Sequence, residues 1–397
     1  MHGMTTTPTT GRAPGYETTS EAGHGAPPEA GHGTTSDAGR GTPRDVWVER
    51  LWEAVSDGDE YAALDLAEEI LDSGVDAESF LLDFVGAVQR RVGEEWAADR
   101  ISVAQEHAAT AVNERVVAAL ARHPAARPRT PGRGRIAVAC VDGEWHALPA
   151  RLVAEVLRLR GWQVDYLGAQ VPTPHLIRHL HRTGPDVVAL SGSLPTRLPT
   201  AHATITACQA ASIPVIVGGA AFGPDGRYAR LLGADHWAAD ARGAADHLAE
   251  HGLRTPRPAH APLDDLPHLA DQEYTLVSRS SPQLVRAVLA GMEERFPQLR
   301  EYTDLQRQHT AEDIAHIVDF LAVALYVDDG ELLTGFMTWT AEVLAARGVP
   351  HRSLLPALDL LSDRLTDFPR AAALLGRAHE AVRRVPAPPV PGPGKSA

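Results

Sequence analysis

Cysteine is nearly absent from this chain: among 397 residues only Cys140 and Cys208 occur. Disulfides are therefore excluded as the source of stability, and both thiols fall in stretches with α/β patterning. Runs of 18 apolar residues are missing too, as is an apolar signal core in the first thirty residues. The chain thus reads as cytoplasmic, with no membrane partner. It also lacks an excess of positive charge. A net charge of −14 disfavours a nonspecific phosphate-binding surface, so direct nucleic-acid binding is not expected. What is present is 44% hydrophobic residues, enough for several cores, and a length that allows two to four domains.

Residues 1–44 are rich in Thr, Gly, Pro and His and repeat Glu-Ala-Gly-His-Gly at 21–25 and 29–33. Such a composition cannot bury a core, so a disordered tail is expected, with His24 and His32 solvated. Pro/Gly-rich runs at 124–134 and 255–262 mark linkers, and 386–397 forms a Pro-rich end. Three domains follow: 45–126, 133–253 and, after a linker over 254–272, 273–385.

In the first, apolar spacing through Leu51, Val55, Leu64, Ile70, Phe80, Leu81, Phe84 and Val88 predicts a four-helix bundle, with Ser102 as an N-cap. In the second, β runs at 136–141, 163–168, 187–192, 213–219 and 235–239 alternate with helical periods, predicting a doubly wound, five-stranded parallel sheet. The third has no strand signal. Helical periods at 282–296, 311–326, 330–347, 352–366 and 370–383, capped by Ser281, Thr310 and Gly348, predict an all-α domain that is globin-like or serves dimerisation. The fold class is multidomain, α and α/β.

Asp142-Gly143-Glu144-Trp145-His146 lies in the turn between the first predicted strand and its helix, where an open α/β sheet binds its ligand. A Glu-x-His turn at this place resembles the cobalamin (vitamin B12)-binding domain, which implies His146 as the lower axial ligand of cobalt. Ser191 after the third strand and Gly218-Gly219 after the fourth match the family's slot for the nucleotide tail, where backbone without side chains admits a flat base. Two positions depart: Pro149 replaces the last glycine of the histidine motif, and Ser193 stands where the family often has Leu.

Upstream, Trp96 is followed after nine residues by Glu106-His107. This Trp-x9-Glu-His pattern resembles the cap of adenosylcobalamin-dependent photoreceptors, which implies that these residues enclose the adenosyl group. Ala97 follows Trp96, in a family whose repressor members carry a cap histidine able to take the upper cobalt position, so His107 or water is expected there after photolysis. Repressor members also carry a winged helix-turn-helix at the amino end, and no such pattern is seen here.

With a helical third domain, the order resembles the photocobilins, which pair adenosylcobalamin with a biliverdin-type bilin in a globin-like domain. That resemblance covers residues 45–385. The third domain holds no cysteine, so a bilin would be noncovalent. His316, Asp319, Trp339 and His351 are the main candidates to hold it, and Tyr302, Arg307, His309, Tyr326, Phe336 and Arg352 are weaker ones. The resemblance implies a light sensor rather than an enzyme, with output through a homo-oligomer or a downstream protein. A corrinoid protein of a cobalamin-dependent methyltransferase system is the alternative from another class, a mere cobalamin carrier is a third, and haem on His316 or His351 is the alternative tetrapyrrole.

Overall fold

Parallel strands covered on both faces need apolar residues at nearly every position, and β1 (Arg135–Cys140), β3 (Val187–Ser191) and β4 (Val215–Gly218) supply them. The structure, a computed structural model, describes residues 43–127, 132–251 and 266–386. The expected amino-terminal tail up to residue 42, His24 and His32, most of the linker after 251, and the Pro-rich end from 387 lie outside these residues. With β2 (Gln163–Gly168) and β5 (His236–Ala238) at the edges, the five strands run parallel in the order β2-β1-β3-β4-β5. Chain direction across the sheet reverses between β1 and β3. The loops leaving their carboxyl ends diverge there and open a crevice.

Ahead of the sheet come α1 (Pro43–Ser56), α2 (Glu60–Asp72), the single turn α3 (Ala77–Ser79), a π-helical turn (Phe80–Val85), α4 (Gly86–Ala97) and α5 (Val103–Leu120). Asp59, Asp76 and Ser102 cap α2, α3 and α5, and Gln105 completes a capping box with Ser102. The sheet's helices are α6 (Ala147–Leu159), α7 (Thr173–Thr183), α8 (Leu198–Ala210), α9 (Arg227–Leu231) and α10 (Ala241–His251).

The third region is helical: α11 (Glu273–Arg295), α12 (Asp304–Val327), α13 (Gly330–Ala346), α14 (Leu355–Arg364) and α15 (Pro369–Arg384). Two starts differ from the sequence expectation. Pro282 lies inside α11, so Ser281 is no cap; Val277, Leu284 and Val288 are buried on both sides of the proline and offset its lost hydrogen bond. α12 begins at a Thr303–Gln306 capping box, while Thr310 sits within the helix and donates to the Gln306 carbonyl at 2.9 Å. Among the described residues no helix is long and apolar enough to cross a membrane.

Alternation along the strands divides the core in two. Ile136, Val138, Val187, Ala189 and Ile216 join one apolar cluster with Phe80, Leu81 and Val88 of the cap. Ala137, Ala139, Val188, Leu190, Val215 and Val217 join another that runs into α12 and α13. Cap and helical domain therefore grip opposite faces of one sheet. Polar ties reinforce each side: Arg160 forks onto Glu78 at 2.6 and 2.9 Å, while on the other face Tyr228 donates to Asp329 at 2.7 Å. On that second face, His202 and Tyr326, both buried and 124 residues apart, are joined at 2.8 Å. Tyr326→Phe is expected to lower stability by about 1 kcal/mol in urea unfolding; an unchanged midpoint would show that this bond does not fasten the domain.

Candidate functional site

After β1 the chain turns through Asp142 to Trp145, and His146 is the N-cap residue of α6. Gly143 takes φ +81°, and a Cβ there would lie 3.2 Å from the Arg197 guanidinium. Glu144 is fully buried. Its Oε1 accepts from the His146 main-chain N at 3.0 Å and contacts Nδ1 at 2.6 Å, while its Oε2 accepts from the N–H groups of Ser193 at 2.7 Å and Leu194 at 2.9 Å. Burial pushes this carboxyl up, but the His146 side-chain and backbone bonds outweigh it and hold the pKa below the ordinary value. One carboxylate thus pins the turn after β1 to the loop after β3.

With Nδ1 committed to Glu144, the His146 Nε2 is the ring nitrogen left to meet a ligand, with no hydrogen-bond partner among the described residues. A carboxylate behind the far ring nitrogen is the arrangement that orients a metal-ligating imidazole and strengthens its donor. Among the described residues no group of three or more His, Cys, Asp or Glu side chains could cage a metal ion. A single imidazole donor is what a metal already held in a macrocycle needs from the protein. The slot residues gather at the same end of the sheet, where Ser191 pairs with both Cys140 and Gly218 across the ladder. Gly219 has φ +98°, and a Cβ there would run into the Gly192 carbonyl oxygen, so the loops after β3 and β4 interlock through bare backbone.

Residues 134–249 match the B12 binding domain, and residues 47–121 match a second B12 binding domain. The helical cap and the five-stranded parallel sheet together have a B12-binding fold. The chain is 32% identical over 179 residues to the HTH-type transcriptional repressor CarA of Myxococcus xanthus, a match covering 43% of this chain and 57% of that protein. Less than two thirds of that relative's length is therefore spanned. To the trimethylamine corrinoid protein of Methanosarcina barkeri it is 26% identical over 147 residues, 37% of this chain and 68% of that one. The solved monomethylamine corrinoid protein of Methanosarcina barkeri superposes with a TM-score of 0.47 at 20% identity, covering 52% of this chain and 99% of that one.

The remaining candidates are dispersed. Asp142 does not bond to His146; its carboxylate accepts from the Thr173 N–H at 3.0 Å. In the cap, Trp96 is 7% exposed near the end of α4, while Glu106 and His107 lie in the first turns of α5, with His107 Nδ1 2.7 Å from Glu106. In the helical domain, His316 is half-buried and His351 is buried with neither ring nitrogen hydrogen-bonded. The Asp319 side chain reaches water, yet surrounding protein pushes its carboxyl up, opposed by the charge of Arg197. Tyr326 is engaged by His202, Arg307 pairs with Glu293, and Phe336 stacks on Phe320 at 3.8 Å. Trp339 lies 6.3 Å from Trp96, ring centroid to ring centroid. The sequence had placed those two indoles on different ligands.

Sequence reasoning missed the role of Glu144 as a four-donor acceptor, and it missed Arg197 and Arg347 altogether. The short motif spacing was the one signal for the first; the others depend on tertiary contact. Glu144→Ala, which leaves four donors without their acceptor, should cost about 3 kcal/mol of stability in urea unfolding; a loss below about 1 kcal/mol would mean that water replaces the carboxylate.

Proposed function

We propose that the chain is a light sensor that binds adenosylcobalamin between cap and sheet with His146 as the lower ligand. The observation that carries the reading is the His146 imidazole, locked at Nδ1 by buried Glu144 and left with a bare Nε2 inside a B12-binding domain. Bound there, adenosylcobalamin supplies a cobalt–carbon bond that visible light breaks. The protein's part is geometric. Glu144 fixes the tautomer and tilt of His146, the glycine-lined loops after β3 and β4 receive the nucleotide tail, and Trp96, Glu106 and His107 close the upper face. Loss of an upper group that bridges cap and sheet would shift the balance between two domain arrangements. The Trp-x9-Glu-His spacing and the likeness to CarA support this reading.

A noncovalent bilin in the helical domain extends it. Between α13 and α15 lies an open groove of about 760 Å³ lined by Trp339, Arg377, Arg384, Glu331, Glu342 and Glu380, a volume in the range of cofactor sites. Arginines suit two propionates, carboxylates suit pyrrole nitrogens, and the indole offers a flat wall. Of the four principal bilin candidates only Trp339 lines this groove. A net charge of −14 favours a protein partner or a second copy of the chain over a phosphate backbone as the output.

Likeness to the trimethylamine corrinoid proteins favours a second reading, a methyl carrier. Preference for adenosylcobalamin over methylcobalamin in the dark separates the two. The ligand assignment is tested by titrating His146→Ala with cobalamin: the fold should persist, the base-off, His-on spectrum should vanish, and affinity should fall by about tenfold or more. Unchanged affinity and spectrum would contradict it.

A further inference from the structure

Arg347, the C-cap residue of α13, extends from the helical domain into the cap and meets Trp96 and Asp99 there. Its Nη2 donates to the Trp96 main-chain oxygen at 3.3 Å, its guanidinium carbon lies 5.1 Å from the centroid of the Trp96 ring, and its Nε is 3.7 Å from the Asp99 carboxylate. A bond from Nη1 to the Val343 carbonyl at 3.2 Å braces the side chain against its own helix. Trp339, eight positions earlier on α13, adds the second indole contact.

The chemistry of the contact is specific. The Trp96 carbonyl lies at the negative end of the α4 dipole and already accepts from the Asp99 main-chain N–H at 3.0 Å, so a guanidinium is favoured there as an additional donor. The same planar cation stacks on the indole face, which a lysine ammonium does less well. Arg347 is only 19% exposed in its side chain, and removing an arginine from water is costly, so a tie that served packing alone would be met more cheaply by an apolar residue. Arg347 fixes the main chain and the ring of Trp96 together, which constrains both where the indole lies and how it tilts.

We infer that Arg347 is a positioning residue for the adenosyl-facing side of the cap: through Trp96 it lets the helical domain set how well the cap accepts the adenosyl group. This rests on the reading above, in which Trp96 belongs to that side. By linkage, whatever displaces Trp96 also loosens α13, whose Trp339 walls the α13–α15 groove.

Calorimetric titration in the dark with adenosylcobalamin and with hydroxocobalamin tests it on the full chain. Arg347→Leu should weaken adenosylcobalamin by about tenfold and leave hydroxocobalamin within about twofold, with Arg347→Lys intermediate. Hydroxocobalamin binding through His146 reports that the lower site is intact. Should Arg347→Leu fail to fold, Arg347→Lys decides by the same ratio. Wild-type affinity for adenosylcobalamin in the variants, or equal losses for both cobalamins, would overturn the inference while leaving the light-sensor reading in place. A wild-type protein that does not prefer adenosylcobalamin at all would overturn both.

Discussion

A buried carboxylate with four hydrogen-bond donors holds the centre of this molecule. Glu144 cannot be solvated where it lies, so its charge is sustained by His146 on one oxygen and by the Ser193 and Leu194 N–H groups on the other. The two loops that flank the reversal of strand order are thereby set relative to each other before any ligand arrives. The same bond decides which imidazole nitrogen is available. Loop geometry and donor chemistry are one constraint, which is why the site can be specified by so few residues.

The sheet then serves as a partition between two helical bodies. One apolar face shares its core with the cap and the other with the helical domain. Although they grip opposite faces, the two bodies meet again beyond the sheet, where Trp96 touches Trp339 and Arg347. On the other side Arg197 lies between the Gly143 turn and Asp319 of α12. The helical domain thus lies against both the Gly143 turn and the cap tryptophan, and under the proposed function a change in cap position would reach α13 through Trp339 and Arg347.

Periodicity was sufficient for most of this architecture because strands and sheet helices obey local rules. Val187–Ser191 stands out by its apolar run and Gln163–Gly168 by its place between two helical periods, and the Glu-x-His turn is placed by the end of β1. Where tertiary packing overrides local preference, the sequence misleads. Pro282 reads as a helix start, yet buried residues on either side carry α11 through it, and the Thr303–Gln306 capping box, not Thr310, opens α12. Long-range pairs leave no local trace at all. Trp96 and Trp339 were each legible as aromatic candidates, but nothing in spacing brings them to one contact, and two of the four donors to Glu144 come from residues 49 and 50 positions downstream.

The most direct measurement of the central claim is the absorption spectrum of the protein with adenosylcobalamin and biliverdin, taken in the dark and again after illumination. The account predicts loss of the adenosylcobalamin spectrum together with a shifted red band. A spectrum that light leaves unchanged would contradict the sensor and favour a methyl carrier built on the same two B12-binding domains.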